Sequence, residues 1–293
     1  YGYKKNDIDI VKGTGDINIS FNQNGEPKGK IIVKDAVLKT PFVDKTASIS
    51  SGIISITPDK LSADAGVVIG SNKIDAHAEL DDYMTQDGMS VKIKAGGKNI
   101  DLEILQHVEA LKGTRIPLTG IVKEIKSDVF IDPKKRLFVK AKGKSDIVGI
   151  EKEKIAGVSA DIDYNIQLNK DFLIEENTEG FLKINHGEFT YKEAIVNGDG
   201  YYVNNTNHKL NAHVENIKPD IYLEYFEKQF GIKIKAIGEF SGMVENGVVD
   251  GNCSVKIKND NVDFDHADGE INYDIFAGTG KVNFANEKVS GIV

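Results

Sequence analysis

Apolar and polar residues alternate with a period of two over most of the chain, and this pattern constrains the fold more than any other feature. In the run 158–168 every second residue is apolar, as at Ile162, Tyr164 and Ile166, and the residues between them are mostly acidic or amide side chains. Such alternation is typical of a strand with one apolar and one wetted face. The same pattern recurs in 17–21, 63–69, 74–80, 89–93, 210–214, 255–257, 262–264 and 282–284.

Turn signals separate these runs at intervals that suit hairpins. Asn-Gly and Asp-Gly pairs, which favour the tight turns of antiparallel hairpins, occur at 24–25, 87–88, 197–198, 246–247 and 268–269. We therefore expect consecutive antiparallel strands, about 20 to 25 of them, which is more than an open sheet holds without curling or splitting. The predicted fold is all-β, either a set of sandwiches or one long curled antiparallel sheet.

Two stretches change to helical spacing. Apolar residues recur every three or four positions in 99–111 and again in 220–230, as they do on the apolar stripe of an amphipathic helix. We predict two short helices, near 100–111 and 220–230, each of which follows several strands and precedes a new glycine-marked strand.

These helices and a recurring pair of glycine-opened strands indicate an internal repeat. The stretches 52–70 and 180–200 share one order, in which a glycine opens a strand, a turn and a second strand follow, and another glycine closes the unit. Repeats of this length imply stacked architectures. We interpret residues 1–293 as one continuous repeat array taken from a larger protein, with approximate units 1–111, 112–230 and 231–293.

The composition excludes several classes of function. A net charge of −8 argues against a nucleic-acid groove, since phosphate binding needs a clustered excess of Lys and Arg. The chain is 40% hydrophobic, which is too apolar for a disordered tail. Its apolar runs are far shorter than the roughly 20 residues that span a bilayer. Cys253 is the single cysteine, so no intrachain disulfide can form.

The sequence carries no pattern of a catalytic or metal site. The six histidines are scattered without the spacing of a zinc site, and the glycines at 13–15 and 278–280 do not complete a phosphate loop. The acidic residues Asp260, Asp263, Asp265 and Asp268 lack the glycine and the final glutamate of a calcium loop. We therefore expect no enzyme activity, no cofactor and no metal.

The repeat order resembles that of a known family. The segment SGIISITPDKLSADAGVVIGSNKIDAHAEL (51–80), followed by KNIDLEILQHVEALKGTRIPLTGIVKEI (98–125), is similar to the AsmA-like superfamily and most closely to the TamB-type envelope proteins. In those proteins glycine-opened strand pairs lead to a short Ile-Asp-Leu helix and then to a fresh glycine-marked strand. The stretch 180–230 repeats the same order, so the resemblance covers most of the chain.

The resemblance implies a fold, a location and a function. TamB-type proteins form a long curled sheet, often likened to a taco, whose apolar interior is thought to carry phospholipids between the inner and outer membranes of double-membraned bacteria. They work with an outer-membrane barrel of the TamA or BamA type. We accordingly expect a periplasmic protein of the cell envelope, anchored to the inner membrane by a segment outside this sequence, that supports outer-membrane biogenesis.

The predicted site is the apolar side of the strands, which would hold the acyl chains of phospholipids in a hydrophobic groove. The residues expected to line this groove are Ile54, Ile56, Val67, Ile69, Val91, Ile93, Ile162, Tyr164, Ile166, Leu182, Ile184, Ala212, Val214, Val255 and Ile257. Two other interpretations stay open. One is a structural or adhesive cell-surface β protein made of closed sandwiches, and the other is a scaffold that offers strand edges during outer-membrane barrel assembly.

Overall fold

The computed structural model describes residues 9–40, 43–85, 88–107, 118–150, 153–169, 174, 178–204, 206–218, 227–228, 235–258, 263–285 and 290–292. Its strands are β1 (Asp9–Phe21), β2 (Pro27–Thr40), β3 (Val43–Ile56), β4 (Lys60–Ile69), β5 (Asn72–Asp81), β6 (Ser90–Asp101), β7 (Leu118–Ile131), β8 (Arg136–Ile150), β9 (Glu153–Gln167), β10 (Phe181–Tyr191), β11 (Ala194–Asn204), β12 (Asn207–Ile217), β13 (Lys235–Glu245), β14 (Val248–Lys258), β15 (Asp263–Asp274), β16 (Thr279–Ala285) and β17 (Ser290–Ile292). A short 3₁₀ helix, Leu102–His107, lies between β6 and β7.

The chain divides into two compact units, an N-terminal unit (Tyr1–Gly180) and a C-terminal unit (Phe181–Val293). In each unit every strand pairs antiparallel with the next strand in the chain, from β1 to β9 and from β10 to β17. Each unit is therefore an antiparallel meander, and the prediction of an all-β antiparallel fold is confirmed. The repeat boundaries proposed from the sequence stay a prediction.

The strands of the described residues are longer than the spacing of turn signals predicts. The described residues form seventeen strands, most of them 10 to 15 residues long. The difference arises because two of the Asn-Gly and Asp-Gly pairs lie inside strands. Gly198 pairs with Ala212 within β11, and Gly269 pairs with Cys253 within β15. Glycine is common at turns, but it also occurs inside strands where a neighbouring backbone approaches closely.

Each sheet is curled. In the N-terminal unit, residues from six consecutive strands, β2 to β7, line one concavity of about 750 Å³. In the C-terminal unit, residues from β12 to β16 line another of about 1070 Å³. A flat sheet offers no such shared concavity, and a curl of this kind follows from the natural twist of strands.

Part of the first predicted helix is seen as a tighter 3₁₀ helix, and its positions 108–111 lie outside the described residues. β6 continues through Asp101, and Leu102–His107 forms a 3₁₀ helix that contacts β7 and β3. The His107 Nδ1 atom lies 2.7 Å from the Asp44 Oδ1 atom of β3, so the helix crosses the ends of the strands between β6 and β3. In the second predicted helix, Glu227 and Lys228 are helical, and its other positions lie outside the described residues.

Glycines allow two strands of the C-terminal unit to approach closely. Gly242 of β13 lies directly opposite Gly251 of β14. A Cβ atom on Gly242 would fall 2.6 Å from the Gly251 Cα and would also strike the Asp250 carbonyl oxygen. The Phe240 ring covers the space that side chains would otherwise fill, since its Cζ lies 2.7 Å from that Cβ position. An aromatic ring laid over strand glycines is a known means of supporting them.

We expect Gly242→Ala to destabilise the C-terminal unit by about 1–3 kcal/mol, because the new methyl group meets backbone atoms that have no room to move. The matched control is Gly187→Ala in β10, where the added Cβ would meet nothing closer than 3.5 Å. Urea unfolding followed by circular dichroism compares the two. Equal unfolding midpoints would show that the β13–β14 approach is not a tight constraint.

Candidate functional site

The strand register of the N-terminal unit builds a continuous apolar face across β3 to β9. Four cross-strand rows form it, and they contain neither a charged nor an amide residue. With strands about 4.8 Å apart and alternate residues about 6.8 Å apart, the face covers roughly 29 Å by 20 Å. The rows are Leu61, Leu80, Val91, Ile131, Leu137 and Ile166; Ile54, Ala63, Ala78, Ile93, Val129, Val139 and Tyr164; Ala65, Ala76, Ala95, Ser127, Ala141 and Ile162; and Val67, Ile74, Gly97, Ile125, Gly143 and Ala160.

A lane of small side chains runs through the middle of this apolar face. It consists of Ala65, Ala76, Ala95, Ser127 and Ala141, one from each strand from β4 to β8. Each of these small residues has a larger side chain on at least one side along its strand. Val67 and Ile74 lie on one side at β4 and β5, and Ile93, Val129 and Val139 lie on the other side from β6 to β8. Small residues beside larger ones leave a furrow, and this furrow crosses the strands over about 19 Å.

Burial differs between the middle of the apolar face and the strand ends. At one end of the strands Ala47, Ile100 and Val122 are buried, and at the other end Ile166 and Leu168 are buried. The residues between these two rims, including the small-residue lane, are only half-buried. The apolar face therefore has buried strand ends, which are its rims, and an accessible middle.

Polar contacts hold one rim in place. Asn72, which is 2% exposed, begins β5 and lies beside the end of β6. Its Oδ1 accepts a hydrogen bond from the Asp101 backbone N–H at 2.6 Å, and its Nδ2 donates to the Asp101 carbonyl at 3.2 Å. Both groups of the amide are thus satisfied, as burial requires. The 3₁₀ helix leaves the sheet at this point.

All nine groove residues predicted in the N-terminal unit lie on this apolar face or on its extension along the strands. Ile56 continues the row of Leu61, and Ile69 lies one alternation beyond Val67. The side chains are half-buried except that of Ile166, which is 5% exposed. Burial raises the pKa of the Tyr164 hydroxyl, in keeping with its apolar surroundings. Whether the face binds lipid stays a prediction.

The predicted residues of the C-terminal unit also share one face of their own sheet. Ile184 pairs with Gly200, which pairs with Leu210 on the next strand. Val214 pairs in the same way with Phe240, which pairs with Cys253. The remaining predicted residues occupy alternate positions in the same strands, namely Leu182, Ala212, Val255 and Ile257. The side chains of Leu182, Ile184, Ala212, Val214 and Val255 are half-buried, while that of Ile257 lies outside the described residues.

The opposite face of the N-terminal unit, which we call the charged face, is built from ionic side chains in matched register. One cross-strand row reads Asp64, His77, Lys94, Asp128, Lys140 and Asp163. Ion pairs link neighbouring strands, as between Lys142 and Asp161 at 2.7 Å. Such pairs help to fix the register of neighbouring strands. They add little to the free energy of folding, because exposed ion pairs are weak. The concavity shared by β2 to β7 lies on this face.

His77 is the centre of the densest ionic cluster on the charged face. Its Nδ1 lies 2.7 Å from the Asp64 Oδ1, and its Nε2 lies 3.3 Å from the Glu79 Oε1. These hydrogen bonds, that with Asp64 foremost, raise the pKa of His77 above its usual 6.5. Lys60, 2.5 Å from Glu79, is the main cause that lowers the pKa of that carboxyl.

Comparison with known proteins gave no match to any family model, curated protein or solved structure. Within the described residues no helix is long and apolar enough to cross a membrane. The same part of the chain holds no group of three or more His, Cys, Asp or Glu side chains arranged to bind a metal ion.

Sequence reasoning missed the small-residue lane and the buried rim. Period-two alternation marks which residues share a face, but it does not say which alanines of different strands are neighbours, because that depends on register. Asn72 was missed for another reason. It follows a Gly-Ser step at a turn and reads as an ordinary turn residue, while its hydrogen-bond partner, Asp101, lies 29 positions away.

We expect the imidazole of His77 to titrate with a midpoint above 6.5 in NMR spectra of the folded chain. Because folding raises the pKa of His77, its protonation stabilises the folded chain at pH values below the pKa of the unfolded chain. This stabilisation is lost as the pH rises through the pKa of the folded chain. Asp64→Asn should lower the midpoint most and Glu79→Gln less, following the order of their hydrogen bonds. An unchanged midpoint in Asp64→Asn would show that the pair does not form in solution.

Proposed function

We propose that the apolar face of this chain is a groove that carries phospholipid acyl chains between the inner and outer membranes of a double-membraned bacterium. The observation that supports this most is the apolar face itself, whose rows carry no charged residue and whose middle is accessible between buried rims. Acyl chains are its natural guest, because each methylene removed from water stabilises the complex by about 0.8 kcal/mol.

The amount of exposed surface supports an open groove over closed sandwiches. The chain exposes 20113 Å², whereas two compact bodies of half its mass would together expose roughly 15,000 Å². A closed sandwich buries the inner faces of both sheets against each other. Among the described residues no large side chain is less than 2% exposed, and so they lack the core of a sandwich.

The uniformity of the face suits transport better than storage. Most positions of each row carry Ala, Ile, Val or Leu, and the others carry Gly97, Gly143, Ser127 and Tyr164. An acyl chain moved by one strand therefore exchanges one uncharged surface for a similar one. A smooth free-energy profile of this kind favours sliding, since no single position holds the ligand much more tightly than the next. No bond is made or broken in the proposed process.

The periplasmic location, the inner-membrane anchor outside this sequence and the barrel partner of the TamA or BamA type belong to the same proposal. They follow from the resemblance of the repeat order to the TamB-type proteins. Scaffolding of barrel assembly is the alternative within that family, and it would use strand edges instead of the apolar face.

The first test compares Ile93→Asp with Lys94→Asp, which place one carboxylate at adjacent positions of β6 on opposite faces. The chain is purified from a double-membraned host, and bound phospholipid is measured by native mass spectrometry and lipid extraction. We expect Ile93→Asp to lower the bound lipid roughly tenfold, since an acyl chain would have to desolvate the new charge. Lys94→Asp should retain it.

A second pair of variants avoids introducing charge into the groove. Ala76→Phe fills the small-residue lane with an apolar ring, while Lys73→Phe places the same ring on the opposite face of β5. We expect only Ala76→Phe to reduce uptake of a fluorescent phospholipid, with both variants folded by circular dichroism. Lipid binding that persists in folded Ile93→Asp and Ala76→Phe chains, or a wild-type chain that binds none, would refute the groove.

A further inference from the structure

Asparagines alternate with charged residues on the second face of the C-terminal unit, which we call the amide face. They lie in two neighbouring cross-strand rows, which read Asn197, His213, Ser241, Asn252, Glu270, Asn283 and Asp199, Asn211, Met243, Asp250, Asn272, Lys281. The predicted groove residues of this unit lie on the other side of the same strands. The asparagines are Asn197, Asn211, Asn252, Asn272 and Asn283.

The amide face is concave, and its concavity is elongated. One part, of about 1070 Å³, is lined by residues from β12 to β16, and a second part, of about 340 Å³, is lined by residues from β10 to β13. The two parts share Asn211 and Gly242 in their linings. Together they form a trough, the amide trough, that crosses seven strands and is roughly 29 Å long.

The side chains of the amide trough are available to a ligand. In the described part of the chain Asn252, Asn272 and Asn283 have no hydrogen-bond partner, while Asn211 donates to the Asp199 carboxylate at 3.1 Å. A side-chain amide offers both donors and an acceptor. Asn side chains are also short, so fixing them on a ligand costs less conformational entropy than fixing Lys, Arg or Gln.

The charge of the trough restricts the ligand class. Asp250, Glu270 and Asp274 line its wider part together with one cation, Lys281. An excess of carboxylates repels polyanions such as nucleic acid or phosphate-bearing polymers. An apolar ligand is also disfavoured, because it would strip water from amides and carboxylates without replacing their hydrogen bonds. A neutral ligand rich in hydroxyl and amide groups satisfies both conditions.

An aromatic pair lies next to the narrower part of the trough. The rings of Phe181 and Tyr201 stack with centroids 5.8 Å apart and an angle of 19°. Tyr201 is two residues from Asp199 on β11 and therefore points to the same face. Phe181 keeps 36% of its surface exposed. Aromatic faces beside hydrogen-bonding side chains suit the mixed apolar and polar surface of a sugar ring.

We propose that the amide trough binds a linear, uncharged glycan strand laid across β10 to β16. The spacing of strands, about 4.8 Å, is close to the length of one sugar ring in an extended β-linked chain, so each ring would lie over one strand. Every strand from β11 to β16 except β13 presents one asparagine to it, in one of the two rows. Open troughs lined by single amides bind weakly per ring, and affinity grows with the number of rings engaged. This proposal is independent of the lipid groove, which uses the other face of the sheet.

The test uses the whole chain, 1–293, with chitohexaose and cellohexaose as probes, followed by NMR of side-chain amides and by calorimetry. We expect both or one of the glycans to shift the Asn252 and Asn272 amide resonances. The double variant Asn252→Ala/Asn272→Ala should bind roughly tenfold more weakly, since each lost hydrogen bond contributes about 1 kcal/mol. The control Asn18→Ala/Asn24→Ala removes two exposed amides from the N-terminal unit and should bind as wild type.

A second comparison tests whether glycan binding depends on the Phe181–Tyr201 pair or on any exposed aromatic ring. Tyr201→Ala should weaken glycan binding, whereas Tyr273→Ala, which removes a 41% exposed ring on the opposite face, should not. Absence of amide shifts at millimolar hexaose, binding unaffected by the Asn252 and Asn272 changes, or preferential binding of polyphosphate would each overturn the proposal. None of these outcomes bears on lipid binding, which is measured separately.

Discussion

The backbone hydrogen-bond ladder between consecutive strands is the interaction on which the rest of this structure depends. Very few side chains of the described residues are buried, and those that are buried lie mostly at strand ends. A core of packed side chains therefore does not define the fold in the usual way. The ladder instead fixes register, and register decides that apolar residues collect on one side of each sheet and polar residues on the other.

This dependence explains which features the sequence analysis predicted. Alternation identifies faces without any knowledge of pairing, so the apolar sides of β3, β6 and β9 were assigned from the residues alone. The antiparallel arrangement followed from turn pairs such as Asn246-Gly247. Turn signals were less reliable for counting strands, because a glycine such as Gly198 serves in β11 to admit a neighbouring backbone, and a local pattern does not distinguish the two uses.

The site was predictable in its chemistry and not in its shape. The predicted groove residues do lie on apolar faces, but the furrow depends on Ala65, Ala76 and Ala95 being side by side, and these residues are 11 and 19 positions apart in the chain. The buried rim depends on a contact between Asn72 and Asp101 that no local pattern contains. Long-range register, and the polar contacts it permits, are what the single sequence lacks.

Because strands that follow one another in the chain are paired, insertions and deletions of whole hairpins affect such a protein only locally. In the N-terminal unit each strand contacts the strands before and after it, so an inserted or deleted hairpin disturbs only one junction. A two-strand insertion between β4 and β5 that keeps the alternation would extend the furrow by about 9.6 Å and leave the other registers intact. An insertion that shifts the alternation by one residue would instead place charges in the furrow. Selection on such a chain thus acts on the phase of an insertion more strictly than on its size.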